Sequence, residues 1–444
     1  YITMKIKEPL ISCDTVVALP NSTSNNITIF GKNSDRPKSE CQPLVQIPRI
    51  KNNSKYTQCQ FIKIPSTEIS YAHVGSKPFW CWGYEHGFNE YQVVIGNEGL
   101  GTHIPSSSSP KLVGMEIVRL ALERSKSAKD AVKIITDLIS TFGQGVFEND
   151  QNVRTYDNGY LIADPTEAYI IETAGHEWAV KKVEDAEGIS NIHSIETNWD
   201  KISDTAINTA KSLKLNIASP KLNFAKTFCD YDSRYDGRGE FRRLRSCTYL
   251  QNLKGNINLK EIIFILKDHA DGEKENISQN FLDTRTICTH YPDPDSDGNT
   301  AASLVSELHT DNTQLDIHWT SMYSPCLGIF LPMFIEGEIP KVLSIGNQNY
   351  NHKSPWWAFR SLEESCRTDG LLDNNKASQI RKIWEPIQNE FYKSAKLIAK
   401  DANKLKQENK LKQMKEELTQ YMRNNTNTVL NTLNELVKSK SQIS

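Results

Sequence analysis

The sequence lacks any apolar run near the roughly 20 residues that a membrane-crossing helix needs, which excludes an integral membrane protein. It also lacks an excess of charge of one sign, because 52 Lys and Arg residues stand against 54 Asp and Glu residues. Without a basic face to neutralise phosphates, nucleic acid is a poor partner. With 444 residues, 38% of them hydrophobic, the composition is typical of a globular protein with a sizeable core.

Metal-binding motifs are also missing. None of the nine cysteines forms a CxxC pair, which argues against a zinc ribbon or a thioredoxin-type motif. The run His176-Glu177 is no zinc-protease helix, because Val180 stands where a second His is required. Residues 293–298 imitate the start of a calcium-binding loop, but its twelfth position is Leu304 instead of a carboxylate. We therefore expect no metal site.

The hydrophobic pattern predicts an α+β protein. Period-2 or short apolar runs predict strands at residues 15–19, 27–30, 60–64, 91–95, 159–163, 168–172, 177–183, 300–306 and 314–322. Helical spacing over residues 111–142, interrupted at 125–127, predicts two packed helices. The polar run 32–37 predicts that the second strand ends at Gly31. Strands, helices and further strands in this order are typical of a sheet pair covered by helices.

The C-terminal part has a different character. It is rich in Lys, has no Gly or Pro after Pro386, and places Leu411, Met414, Leu418 and Tyr421 at 3-4-3 spacing. One interpretation is a long helix that packs one stripe on the domain. The other is a helix that binds a protein partner or a second copy of the chain. Residues 351–444 are predicted to form a helical extension of a domain at 13–350.

Cys13 is the cysteine that most deserves a functional interpretation. It directly precedes a predicted strand, with the polar run 32–37 about 20 residues later. From the pattern alone, a buried strand cysteine is the more common outcome for such a residue. The histidines do not indicate a catalytic triad, because they are scattered along the sequence without a recognisable spacing.

Several stretches of the sequence match a known family in the family's order. They are residues 13–20 (CDTVVALP), 30–37 (FGKNSDRP), 82–85 (WGYE), 89–90 (NE), 95–98 (IGNE), 119–124 (RLALER), 161–164 (LIAD) and 171–175 (IETAG). Thinner similarity continues through residues 190–191, 301–303 and 330–332. In these stretches the sequence resembles the secernins, and with them the dipeptidase-type cysteine branch of the N-terminal nucleophile (Ntn) hydrolases.

The resemblance implies a four-layer αββα sandwich of two antiparallel sheets enclosed by helices. It also implies that cleavage of the Ser12–Cys13 bond removes residues 1–12 as a leader and makes Cys13 the mature N-terminus. A free α-amine has a pKa of about 7.7–8.0 and a thiol one of about 8.5, so the amine can accept the proton of its own thiol. One residue then supplies nucleophile and base, and no His is required.

The resemblance assigns two charged residues to the nucleophile. Lys32 stands where related hydrolases commonly carry Arg, and its charge would favour the Cys13 thiolate. A lysine ammonium is a point charge, so this departure loses the bidentate geometry of a guanidinium. Asp35 would orient the α-amine.

The resemblance assigns three further residues to the oxyanion that forms during catalysis or to the groups around it. Asn97 would donate to the oxyanion, and Asn191 would support the oxyanion or the amine. Both asparagines adjoin turn-forming residues, so turn chemistry is the alternative for each. Arg242 matches the family's late arginine, and a solvated cluster of three arginines is the alternative there.

The predicted function is a cysteine Ntn hydrolase that cleaves a small linear amide or dipeptide through a Cys13 thioester, with no metal or organic cofactor. The alternative is a non-hydrolytic, secernin-like interaction protein in exocytosis, with a homo-oligomer or protein partner bound through the C-terminal helix. Residues 1–12 contain no apolar core, so no signal peptide is expected there and the predicted location is cytoplasmic. A secretory or lysosomal location is the alternative if a signal peptide has been removed upstream.

Overall fold

The computed structural model describes residues 12–37, 39–105, 109–144, 147–148, 153–154, 156–217, 221–231, 238–270, 286–290 and 298–441. Apart from Ser12, the predicted leader lies outside the described residues. Apart from Gly298, so does the calcium-like stretch 293–298.

Strands and helices alternate along the chain. The strands are β1 (Cys13–Ala18), β2 (Thr28–Arg36), β3 (Leu44–Ile47), β4 (Ile50–Lys51), β5 (Tyr56–Gln58), β6 (Lys63–Pro65), β7 (Ile69–Ser70), β8 (His73–Ser76), β9 (His86–Asn89), β10 (Val94–Leu100), β11 (Phe147–Glu148), β12 (Val153–Arg154), β13 (Asp157–Ala163), β14 (Ala168–Ala174), β15 (Glu177–Lys182), β16 (Ala186–Ile189), β17 (Lys201–Ile202), β18 (Asn299–Leu308), β19 (Ile317–Met322), β20 (Leu331–Met333), β21 (Arg367–Thr368) and β22 (Leu371–Leu372). The helices are α1 (Gly114–Arg124), α2 (Ala128–Phe142), α3 (Ala206–Ser212), α4 (Phe224–Phe228), α5 (Arg238–Asn252), α6 (Leu259–Leu266), α7 (Pro355–Ser365), α8 (Asn374–Gln407) and α9 (Leu411–Ser441).

Two antiparallel sheets form the centre of the fold. The first has the strand order β16-β1-β2-β18-β19-β20, and the second has the order β17-β15-β14-β13-β10-β9-β8-β3. The sheets pack face to face where β1 contacts β10 and β13. Helices α1 and α2 cover the outer face of the second sheet, and α5 and α6 cover that of the first. This arrangement is the predicted αββα sandwich, and the prediction of the fold class is confirmed.

The two predicted helices in residues 111–142 are confirmed, and the interruption between them has a local cause. Ser127 accepts a hydrogen bond through Oγ from the backbone nitrogen of Asp130, over 3.1 Å, and so caps the start of α2. Gly143 ends α2 with a φ of 68°, a conformation that glycine adopts without steric cost.

The prediction that the second strand ends at Gly31 is wrong. Strand β2 runs to Arg36, and all nine of its residues are buried, including the polar ones from Lys32 onward. Polar side chains can remain buried here because neighbouring elements provide partners. Asn33, for example, donates through Nδ2 to the backbone oxygens of Leu266 and Ile287, over 2.8 and 3.0 Å. The polar run that resembled a loop is therefore an interior strand of a sandwich.

The C-terminal helices are part of the same hydrophobic core as the sandwich. Helix α9 packs against α7, α8 and β20. Met414 and Leu418 are buried, Tyr421 is half-buried, and Leu411 is 50% exposed. The predicted stripe therefore packs on the domain. The part of the chain after residue 350 is mainly helical, but it shares one hydrophobic core with the sandwich. No described helix is both long and apolar enough to span a membrane.

Candidate active site

Cys13 is the first residue of β1 and its side chain is buried. It lies opposite Ser34 of β2, and Thr15 lies opposite Lys32. The Thr15 hydroxyl donates to Glu98 of the second sheet, so Thr15 faces the space between the sheets. Because side chains two residues apart on a strand share a face, the Cys13 thiol points to that same space.

The backbone nitrogen of Cys13 has a specific acceptor. It donates to Asn191 Oδ1 over 2.7 Å. Asn191 follows β16, and its Nδ2 donates to the backbone oxygen of Gly99 over 2.9 Å. In the intact chain the side-chain oxygen of Asn191 therefore contacts the nitrogen that would become the α-amine. Of the two roles predicted for Asn191, this geometry favours support of the amine.

Arg242 of α5 lies directly behind this contact. Its Nη2 donates to the same Asn191 oxygen over 2.7 Å and to Ser190 Oγ over 3.0 Å. Its Nε donates to Asp14 Oδ2 over 2.8 Å, and both side chains of this ion pair are buried. A guanidinium can make these bonds at the same time because its donors are fixed in a plane.

The alternative of a solvated arginine cluster does not describe Arg242. Its neighbours Arg243 and Arg245 are more exposed and pair with Glu187 and Asp268. Arg242 alone of the three reaches the surroundings of Cys13.

Lys32 is buried between the two sheets. It donates to the backbone oxygen of Asn97, and its Nζ lies 3.4 Å from Glu98 Oε1. Gly96 leaves the space for this side chain, because a Cβ added at Gly96 would lie only 2.3 Å from Lys32 Cδ. Burial disfavours the ammonium form, but the nearby Cys13 and Glu98 groups raise the pKa of Lys32 above its usual value.

The protonation of Cys13 is governed by its burial. Burial raises the pKa of the Cys13 thiol to about 12, and Lys32 is the strongest opposing influence. The thiol is therefore protonated near neutral pH in the intact chain. Any change that admits solvent to Cys13 while retaining Lys32 would lower this pKa.

Asp35 contacts the residue before the nucleophile. It accepts hydrogen bonds from Ser12 Oγ over 2.6 Å, from Thr300 Oγ1 over 2.6 Å and from Thr289 Oγ1 over 3.1 Å. Its backbone nitrogen donates to the Ser12 carbonyl oxygen over 3.1 Å. Burial raises the pKa of Asp35, and these hydrogen bonds oppose that shift. In the intact chain Asp35 therefore holds Ser12 on both its side chain and its carbonyl group.

Asn97 lies inside β10, so the alternative of turn chemistry is wrong for this residue. Its Nδ2 donates to Asn158 Oδ1 over 3.0 Å, and Asn158 in turn donates to Gln144 Oε1 over 2.7 Å. Because Gly96 and Glu98 on either side of Asn97 face Lys32 between the sheets, the Asn97 side chain faces the opposite side of β10, toward the layer of α1 and α2. The structure therefore does not bring this side chain to Cys13.

Among the described residues, three buried acceptor atoms on β1 and β10 have no hydrogen-bond partner. They are Asp14 Oδ1, Asn97 Oδ1 and Glu98 Oε2. Only Glu98 lies between the sheets with Lys32. Because buried polar atoms are nearly always paired with protein or water, its free oxygen marks a place there for water or a polar ligand.

The sequence-based interpretation missed Asp14, Glu98, Ser190 and the threonines that hold Asp35. Asp14 and Glu98 lie inside the stretches that carry the resemblance, each next to a residue that was assigned a role. Strand alternation could have indicated that Asp14 faces away from Cys13, toward the helix layer that contains Arg242.

Solved structures with distant similarity were found. A mutant of conjugated bile acid hydrolase from Clostridium perfringens matches with a TM-score of 0.41 and 14% identity, over 70% of this chain and 89% of that chain. Penicillin V acylase from Agrobacterium tumefaciens matches with a TM-score of 0.39 and 11% identity, over 72% and 86%. The Caenorhabditis elegans ortholog of N-acylethanolamine-hydrolyzing acid amidase matches with a TM-score of 0.33 and 11% identity, over 66% and 92%. These scores are too low to assign the fold, which the layers and strand pairing above establish.

The family comparison is more direct. The family model described as "Peptidase family C69" matches residues 87–246. The matched residues include Asn97, Asn191 and Arg242, whereas Cys13, Lys32 and Asp35 precede them. The match agrees with the resemblance to the secernins and confirms the predicted class, a cysteine-type peptidase or amidohydrolase. Over residues 87–246 the chain is similar to peptidase family C69.

Proposed function

We propose that the protein is a cysteine Ntn hydrolase that cleaves a small linear amide or dipeptide through a thioester on Cys13. The observation that carries this proposal is the contact of the Cys13 nitrogen with Asn191, whose acceptor atom is shared with Arg242. If Cys13 had only a packing role, its backbone nitrogen would not need the Asn191 side chain as an acceptor. Asn191 would not need a buried arginine on the same oxygen atom.

The first step is cleavage of the Ser12–Cys13 bond. The Cys13 sulfur attacks the Ser12 carbonyl carbon, the bond from that carbon to the Cys13 nitrogen breaks, and the nitrogen takes up the thiol proton to become the α-amine. Water then hydrolyses the resulting thioester, which releases the Ser12 carboxylate and restores the thiol. Negative charge develops on the Ser12 oxygen, which already accepts a hydrogen bond from the Asp35 nitrogen. Cleavage releases the leader, exposes the α-amine and frees the Asp35 oxygen that Ser12 occupies.

In the mature enzyme the free amine accepts the thiol proton, and the thiolate attacks the substrate carbonyl. Asn191 Oδ1 holds the amine by accepting one of its hydrogens. The neighbouring Arg242 guanidinium disfavours the protonated amine, which keeps the amine available as a base. The Lys32 charge stabilises the thiolate.

We also place the protein in a reducing compartment, in keeping with the predicted cytoplasmic location. All nine cysteines lie in described residues and all are free thiols. Unpaired cysteines in this number are typical of proteins kept under reducing conditions.

Hydrolysis of a panel of dipeptides and simple N-acyl amides tests the proposal. We expect wild-type protein to release free amine and Cys13→Ala protein to release none. Cys59→Ala is the matched control, because Cys59 is also a buried free thiol but lies outside this site. Equal product release by wild type and Cys13→Ala, or none by either while the wild type begins at Cys13, would reject the proposed role.

A further inference from the structure

A second group of potentially reactive side chains lies apart from the Cys13 thiol. It consists of His269, Cys288, His290 and Cys326, whose ligand atoms all lie within 4.8 Å of one another. His269 follows α6, Cys288 and His290 lie in the segment 286–290, and Cys326 lies between β19 and β20. Three distant segments of the chain therefore converge on one point.

Two distances within this group are close to those around a single tetrahedral ion. His290 Nε2 lies 3.5 Å from Cys288 Sγ and 3.2 Å from Cys326 Sγ. A zinc ion with Zn–S bonds of about 2.3 Å and Zn–N bonds of about 2.0–2.1 Å separates its ligand atoms by roughly 3.3–3.8 Å. A ring nitrogen of His269 lies within 4.8 Å of the other three ligand atoms.

One of the histidines is oriented as a metal ligand usually is. His290 Nδ1 lies 2.9 Å from Glu363 Oε1, and Arg367 Nε donates to the same carboxylate over 2.9 Å. A carboxylate on one imidazole nitrogen fixes the other as a metal ligand and is common behind zinc-bound histidines. The Glu363 contact therefore directs Nε2 of His290 toward the two cysteines.

We propose that His269, Cys288, His290 and Cys326 bind one structural Zn²⁺ ion. Two thiolates and two imidazoles in tetrahedral arrangement are a donor set that zinc prefers, and four protein ligands leave no open position for catalysis. The expectation of no metal rested on the missing CxxC pattern. That pattern is not required here, because each cysteine comes from a different segment.

Two other chemistries could use the same atoms. Cys326, His290 and Glu363 are aligned like a thiol-based catalytic triad, but all three are buried, which leaves no approach for a substrate. A disulfide between Cys288 and Cys326 is the other alternative. Neither would explain why a ring nitrogen of His269 also belongs to this cluster.

The proposed ion would support the Cys13 site from outside. Segment 286–290 contacts β2 twice: Ile287 accepts from Asn33, and Thr289 donates to Asp35. A zinc ion bound to Cys288 and His290 would hold Thr289 between its two ligands and thereby hold the Asp35 carboxylate.

Metal analysis of the full-length protein tests this proposal without any activity assay. The protein is purified from zinc-supplemented cells in chelator-free buffer, and its metals are measured by mass spectrometry. We expect about one zinc per chain, at least a tenfold loss in the double variant Cys288→Ser/Cys326→Ser, and no loss in the control Cys59→Ser. Zinc that is retained in the double variant would overturn the proposal.

X-ray absorption at the zinc edge of wild-type protein covers the case in which the double variant does not fold. We expect two sulfur ligands at about 2.3 Å and two nitrogen ligands at about 2.0–2.1 Å. Wild-type protein with far less than one zinc per chain would overturn the proposal, as would iron with sulfide in place of zinc. A Cys288–Cys326 disulfide in non-reduced peptide maps would do the same.

Discussion

Asn191 accepts a hydrogen bond from the backbone nitrogen of Cys13 over 2.7 Å, across 178 positions of sequence. The same oxygen accepts from Arg242, which also neutralises Asp14 beside the nucleophile. The nitrogen that would become a catalytic base is thus fixed before any cleavage takes place.

Replacing Lys32 with Met should slow the reaction of Cys13 with iodoacetamide in the cleaved protein. Loss of one nearby positive charge raises the thiol pKa, and each unit lowers the thiolate fraction about tenfold. We expect at least a tenfold slower rate near pH 7. Lys133→Met is the control, because Lys133 is exposed on α2. Equal rates in wild type and Lys32→Met would contradict the assigned role.

The intact chain should behave differently from the cleaved one. Because burial raises the pKa of Cys13 to about 12, Cys13 should label slowly while Ser12 is attached. We expect Cys13 to become the most reactive of the nine thiols only in the cleaved form. Mass spectrometry of peptides after brief alkylation distinguishes the two forms. Rapid labelling of Cys13 in an uncleaved chain would be inconsistent with this account.

Replacing Arg242 with Met should strongly destabilise the fold. The change leaves the Asp14 carboxylate buried and uncompensated, which costs about 3–5 kcal/mol. The measurement is urea unfolding at about pH 8 in an uncleavable Cys13→Ala background. Arg243→Met should cost less than about 1 kcal/mol, because the Arg243–Glu187 pair is partly exposed. Adding Asp14→Asn to Arg242→Met should restore part of the lost stability. If Arg242→Met cost no more than Arg243→Met, and Asp14→Asn restored nothing, the buried ion pair would be rejected.

Asp14 should make stability depend on pH in a specific direction. Burial raises the pKa of Asp14 from 3.8 to about 7, although Arg242 opposes the shift. Between these values the folded state binds more protons than the unfolded state, so the free energy of unfolding falls as pH rises. From about pH 4 to about pH 7, wild type should lose stability relative to Asp14→Asn. Asp137→Asn, at an exposed site, is the control. If wild type instead gained stability relative to Asp14→Asn as the pH rises, the predicted pH dependence would be contradicted.

Much of the fold could be predicted from the sequence because its elements follow simple periodicity. The two helices in residues 111–142 have apolar residues at helical spacing, and the strands around residues 159–183 contain short apolar runs next to turn-forming residues. Strand β2 could not be predicted to its full length, because its polar half is buried only through partners from distant segments, such as Thr300 and Leu266. Local sequence carries no sign of such partners.

The candidate site was predictable through resemblance and not through spacing. Cys13, Asn191 and Arg242 are far apart in sequence, and only the fold brings them to one oxygen atom. Asp14 and Glu98 were missed because a charge next to an assigned residue is commonly a solvated one. Here both are buried in ion pairs. The histidine–cysteine cluster was missed for a similar reason, since its members come from three separate segments.

The two interpretations of the C-terminal helix predict different effects of a matched pair of substitutions. Leu418 is fully buried and Leu411 is 50% exposed on the same helix. Leu418→Ala should cost about 2–5 kcal/mol in urea unfolding, and Leu411→Ala should stay within about 0.5 kcal/mol. Both should leave the oligomeric state unchanged in light scattering. A small effect of Leu418→Ala together with a change of oligomeric state would instead favour the partner helix.

The intact mass of the natively expressed protein tests the central claim most directly, because an Ntn hydrolase needs a free amine on its nucleophile. We expect wild-type protein to have lost the residues up to Ser12 and to begin at Cys13, and Cys13→Ala protein to retain them. The control Cys59→Ala should be cleaved like wild type. A homogeneous wild-type protein that retains Ser12 and hydrolyses no amide would contradict the account.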